Sequence, residues 1–238
     1  MAKRPIPSVA DDFASVISFL TNRGIVPVPA PAELLENAKR IHRATFGLIL
    51  WRFRLKHIPE HGNVFIEEIA SDALQVLPQV LMGYGKTVKL LTRGIIENTL
   101  RHLYFSDHPI EFERMNREKK WYVSLEDLVD YAEIHPAFRR TESKFDAINR
   151  LASLHSELSA GVHGRQVQDL EMRLALKKIA YSQAEAGKQT QLIEKCAQSA
   201  NFVLAVFHQE RLARFEPEDR RIILQTIPSR GRQVWTHL

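Results

Sequence analysis

His155, Ser159 and His163 recur every four residues in the segment LHSELSAGVHGR, Leu154 to Arg165. On a helix they share one face, which would carry two imidazoles and a hydroxyl. Imidazole takes and returns a proton near neutral pH. A second polar line, Arg93, Glu97 and Arg101, runs at the same spacing through LLTRGIIENTLRHLYF, Leu90 to Phe105. A guanidinium fork grips phosphate oxygens at two points. A proton carrier and an anion-binding fork would make a site only where two helices bring the lines side by side.

Each line also has a purely structural reading. Arg93, Glu97 and Arg101 form a ladder of i,i+4 ion pairs, each contributing only a few tenths of a kcal/mol on a solvated surface. Against that stand Leu90, Leu91, Ile95, Ile96, Leu100, Leu103 and Tyr104, which make the helix apolar around most of its circumference. A charged line on such a helix needs partners, and His163 or Ser159 are candidates. GYGKT at Gly83 to Thr87 resembles the end of a phosphate-binding loop. Val80 stands where that motif needs glycine, and no strand leads in, so the glycines are read as a helix break or close packing. His155 and His163 lie two turns apart, about 12 Å, too far to share one ion, and no HExxH occurs. Neither metal nor cofactor is expected.

The elements that must position these side chains read as helices almost throughout. Asp11 to Asn22 is a short amphipathic piece stopped by Gly24, and IVPVPAPA after it favours an extended connector that could hold it away from the body. A long helix follows from Pro31 to about His57, ended by Pro59 and Gly62. Val64 to Phe105 stays helical, with Pro78 and the Gly83/Gly85 pair expected to kink or split it. His108-Pro109 starts a short charged helix, and Ser124 with Asp127 makes a capping box for the next. Beyond Pro136 a helix spans roughly 140–162, with Gly161 and Gly164 suited to its C-terminus. Two further helices, Gln166 to Ala184 and Lys188 to Phe215, form an antiparallel pair turning at Ala186-Gly187, and Pro217 opens a last short one. With no alternating strand pattern, an all-α bundle is expected. Its organisation is an N-terminal helix and proline-rich connector over 1–30, one helical domain over 31–226 and a basic tail over 227–238.

The chain has 238 residues, is 45% hydrophobic and carries a formal net charge of +5, enough for a conventional core and mildly favourable to phosphate backbones. Arginines concentrate near both ends, including Arg220 and Arg221. The single cysteine, Cys196, excludes a disulfide framework and a cysteine-rich zinc site. No secretory h-region opens the chain, and its longest apolar run, Phe46 to Trp51, is far too short for a membrane span. A cytoplasmic protein without membrane contact is expected.

RGIIENTLRHLYF, followed some sixty residues later by LHSELSAGVHG, resembles a bacterial group within the HEPN superfamily found in mobile-element and phage-defence settings. There an arginine and a glutamate on one core helix precede a Leu-Ser-x-x-Val-His-Gly-like signature ending another. The matching positions are Arg93 and Glu97, then Leu158, Ser159, Val162, His163 and Gly164, within a likeness covering roughly residues 65–225. The resemblance implies a HEPN-like helical bundle that pairs with itself and, in active members, a metal-independent endoribonuclease using an Arg-x4–6-His motif. No arginine lies four to six residues before His163; Arg150 is thirteen upstream and Arg165 follows. Arg150-x4-His155, Arg52-x4-His57, Arg54-x6-His61 and Arg101-x6-His108 do satisfy the spacing.

On this reading His163 transfers protons, Arg93 clamps the phosphate, Glu97 orients one or the other, and Ser159 adds a hydrogen bond. Arg101, Arg165, Arg220 and Arg221 bind the nucleic acid. The expected partners are RNA as substrate, a second copy in a homodimer, and an antitoxin or defence-system protein, with the chain acting as a toxin or antiviral effector. The alternative is a non-catalytic helical module that binds or regulates within a defence or mobile-element system.

Overall fold

The computed structural model describes residues 7–139, 141, 145–163, 175 and 179–235. Among them the chain is all-α, with no strand. The helices are α1 (Val9–Asn22), α2 (Ala32–Leu55), α3 (Glu60–Met82), α4 (Gly85–Asp107), α5 (Pro109–Arg117), α6 (Leu125–Ile134), α7 (Ala147–His163), α8 (Gln183–Phe207), α9 (Gln209–Leu212), α10 (Pro217–Thr226) and α11 (Ser229–Arg232), with a closing 3₁₀ turn over Gln233–Trp235. No helix among the described residues is long and apolar enough to cross a membrane.

The helix boundaries follow capping chemistry. Ser8 caps α1 by accepting from the Asp11 N–H at 3.1 Å, and Ser124 and Asp127 close the expected capping box on α6. Pro59 does not terminate α2, which ends at Leu55; it sits just before α3, with Gly62 in that helix's first turn. A residue preceding a helix has no intrahelical N–H to lose, so proline is at home there. Nor does Pro78 break α3, which runs through it to Met82 and stops at Gly83 in the left-handed conformation, φ +80°. Ala186-Gly187 is not a turn either, because both lie in the first turns of α8, which begins at Gln183. Ser182 caps that helix and its packing outweighs the propensity cost of one glycine. Most of the helix expected over 166–184 falls outside the described residues; 179–182 are not helical.

α4 is the central helix, packed against α3, α7, α8 and α6, while α2 covers α3 and α8 from the other side. Trp51, fully buried on α2, donates its indole N–H to Asn201 Oδ1 on α8 at 3.0 Å. Burying a side chain that large is worth roughly 3 kcal/mol, so α2 and α8 are firmly joined. Arg54 on α2 pairs with buried Asp219 on α10. α1 is not held away from the body: it packs on α2, with Asp12 Oδ2 2.8 Å from His42 Nε2 and the Phe13 and His42 rings in contact. The C-terminal segment also folds back, burying Trp235 against Phe202.

Candidate functional site

α4 presents Arg93, Glu97 and Arg101 along one line because i,i+4 positions stack on a helix face. α7 packs alongside and, among its described side chains, delivers His155 to that line. Glu97 Oε1 lies 2.7 Å from Arg93 Nε and 2.9 Å from His155 Nε2, while those two nitrogens are 3.1 Å apart. Arg93 Nε has one hydrogen, and the shorter contact places it on Glu97. His155 Nε2–H then donates to the same carboxylate oxygen, so two donors converge on one acceptor. Arg101 Nη2 adds a longer contact to Glu97 Oε2 at 3.6 Å.

This tautomer leaves the lone pair of His155 on Nδ1, where the Ser159 hydroxyl lies one turn further along α7 at 3.4 Å. The carboxylate is strongly stabilised. His155's hydrogen bond, then the hydrogen bond and charge of Arg93 and the charge of Arg101, outweigh partial burial and bring Glu97 down to about 2. His155, Arg93 and Glu97 keep side-chain exposures of 12%, 24% and 21%, so the site is recessed but reachable. Ser159, 5% exposed inside a helix, has neither the access nor the free backbone N–H groups that an acyl-transfer nucleophile needs.

His163 is the last residue of α7, two turns beyond His155, and its side chain lies outside the described residues, as do Gly164 and Arg165. Arg220 and Arg221 are on α10, which packs against α2 and α8, away from the line on α4. Arg220 donates to the Ala213 carbonyl at 3.1 Å, and Arg221 pairs with Glu218. Arg93, Glu97 and Ser159 are therefore gathered around His155, with Arg101 joined to them through Glu97, whereas Arg220 and Arg221 belong to a separate surface.

Beside this network a groove of about 380 Å³ runs between α3 and α4, lined by Glu68, Asp72, Leu90, Leu91, Arg93, Gly94, Glu97 and Asn98. Asp72 escaped the sequence reading, although its place among Ile69, Ala73 and Val76 sets a carboxyl on the core stripe of α3. Burial, reinforced by Glu68, pushes it up to about 7. Two other polar clusters are internal braces. His102 donates from Nδ1 to the Gly62 carbonyl at 2.9 Å, which leaves its Nε2 to accept from His208 at 2.7 Å; burial brings His102 down to about 4 and lowers His208 as well. His135 accepts the Ala137 N–H on Nδ1 and donates from Nε2 to Asp107, fastening the end of α6 to α4.

No group of three His, Cys, Asp or Glu side chains among the described residues is arranged to hold a metal ion. Comparison of the chain with family models, curated proteins and solved structures gave no match.

Proposed function

We propose that this chain is a metal-independent endoribonuclease of HEPN type whose proton-transfer residue is His155. The observation that carries the reading is the convergence of His155 and Arg93 on Glu97, with Arg101 alongside. It sets His155 against the Arg93 guanidinium, with the Arg101 guanidinium on the other oxygen of Glu97. Cleavage needs the 2′-hydroxyl deprotonated as its oxygen attacks phosphorus, the extra charge of the phosphorane balanced, and the departing 5′-oxygen protonated. His155 Nδ1 takes the first proton. The long Ser159 contact is weak enough for a substrate hydroxyl to replace it. Arg93 and Arg101 hold the phosphate oxygens, and Glu97 orients both His155 and Arg93. The proton for the leaving group comes from the equivalent histidine of a second copy, in the composite cleft that the resemblance implies. A role as toxin or antiviral effector in the cytoplasm, restrained by a partner protein, follows from the same resemblance.

The competing reading is a non-catalytic helical module. Its support is that Arg93, Glu97 and His155 satisfy one another inside the bundle, which would serve equally to lock α4 to α7.

Purified protein incubated with total RNA separates the two. The wild type should cut RNA in EDTA, and His155→Ala should lower the rate at least 100-fold while leaving RNA affinity within about threefold. His163→Ala, run in parallel, tests the assignment that the resemblance suggests. Loss of cleavage there and not in His155→Ala moves the proton transfer to His163. Absence of cleavage in every condition, with no growth arrest on expression, leaves the binding module.

A further inference from the structure

The groove beside Arg93 contains a polar group that the network around His155 does not use. Asp72 is 7% exposed and lines an open groove, and no hydrogen bond or ion pair among the described residues satisfies its carboxyl. A buried carboxyl without a partner costs stability, and a ligand supplying N–H donors would remove that cost. Its position is built: a Cβ at residue 94 would lie 2.3 Å from Asp72 Oδ2, so the bare backbone of Gly94 makes the slot the carboxyl occupies. Asn98, also 7% exposed, lines the same groove. Its Oδ1 receives Arg101 at 3.5 Å, while its amide hydrogens have no partner among the described residues. Leu90, 55% exposed, and Leu91 form an apolar wall.

We infer that this groove is a base-recognition pocket that takes a guanine edge, placed beside the phosphate held by Arg93 and Arg101. The inference rests on the ribonuclease reading and names its substrate preference. Guanine presents two adjacent N–H donors and then a carbonyl acceptor. The two oxygens of Asp72 match the donors, the Asn98 amide matches the carbonyl, and the leucine wall packs on the ring face. Adenine, cytosine and uracil each set an acceptor where Asp72 needs a donor. Glu68 also lines the groove and would favour a cation, but Arg93 lines it too and Glu97 is already neutralised by its own partners, so a compact ammonium ion matches the site less well than paired N–H donors of a neutral base. At about 380 Å³ the groove lies within the usual range of small-ligand sites, about 300–1,000 Å³.

Guanosine is the suitable probe, because it has no phosphate to clamp or bond to cleave. Titrated into the full chain and followed by calorimetry, it should bind at least tenfold more tightly than adenosine, cytidine or uridine. Asp72→Asn should remove that preference and Gly94→Ala should weaken it, while His155→Ala should leave it unchanged. Asp72→Asn removes an unpaired buried charge, so a folding defect is not expected, and circular dichroism of the variant checks this. Equal binding of all four nucleosides, binding of none, or unchanged guanosine affinity in folded Asp72→Asn overturns the pocket; so does preferential binding of putrescine. RNA cleavage with no preference for guanine overturns the pocket while sparing the ribonuclease reading. Guanosine binding without any RNA cleavage does the reverse.

Discussion

Glu97 and Asp72 face the same groove with opposite electrostatic character, and their pH signatures must therefore differ in sign. Glu97 is lower in the folded chain than its ordinary value of 4.5, so its contribution is present above about pH 4.5 and is lost as pH falls toward 2. Glu97→Gln should cost about 1–3 kcal/mol in urea unfolding at pH 7, with the difference shrinking by pH 3. Equal costs at both pH values would mean that the carboxylate's charge is not what the network uses. Asp72 is higher when folded, about 7 against 3.8, so the wild type loses stability as pH rises through that interval. Asp72→Asn should accordingly gain on the order of 1 kcal/mol at pH 8 and nothing at pH 4. A loss at pH 8 would show that the carboxylate has a partner. The sequence revealed the Arg93, Glu97 and Arg101 line because i,i+4 spacing fixes it within one helix. It also placed His155, Ser159 and His163 on one face, but that His155 meets Arg93 and Glu97 depends on how α7 seats along α4, and spacing within one helix does not set that.

Helix α4 can hold a polar line at the centre of the bundle because its other faces are covered by α3, α6 and α8. Its start depends on Gly83, where two constraints coincide. The residue has φ +80°, and a Cβ there would lie 2.2 Å from the Ala180 carbonyl oxygen, on the segment that leads into α8. The glycine in GYGKT thus serves a chain crossing, consistent with the close packing expected of it. Gly83→Ala should destabilise by about 2–4 kcal/mol and lower Tm by roughly 5–10 °C, read by thermal unfolding. An unchanged Tm would mean that the 180 segment moves freely off α3. Most helices were legible because their apolar residues repeat at 3.6. The misplaced boundaries share a cause: Pro59, Pro78 and Gly187 are breakers by local propensity, yet Pro59 precedes a helix, Gly187 lies in the first turns of one, and the cost of Pro78 is outweighed by the packing of α3 on α2 and α4. α1 was also misjudged. Proline-rich connectors are stiff, but stiffness does not fix direction, and the contacts of Asp12 and Phe13 with His42 return the helix to the body.

For the molecule as a whole, the basic pair expected to bind nucleic acid near the C-terminus lies apart from the candidate site. Arg220 and Arg221 sit on α10 against α2 and α8, so backbone tracking and bond cleavage would use different surfaces. Reversing both charges should weaken RNA binding broadly and flatten its salt dependence, without altering which bonds are cut. The chemistry adds a second demand at this scale. Among the described side chains one histidine, His155, meets Arg93 and Glu97, whereas cleavage by transesterification needs a base and an acid on opposite sides of the phosphate. A composite cleft meets that demand through two-fold symmetry, because each copy supplies what the other lacks. Mixing wild type with His155→Ala at equal concentration, under conditions where subunits exchange, then gives a distinctive result. If both copies must contribute, only pairs of intact chains are active, and activity falls to about a quarter of the undiluted value; if each chain acts alone it falls to about half. Sedimentation at micromolar concentration fixes which case can apply. A 27.4 kDa species alone, with activity halved on mixing, would place both proton transfers within one chain and leave His163 as the second histidine to test.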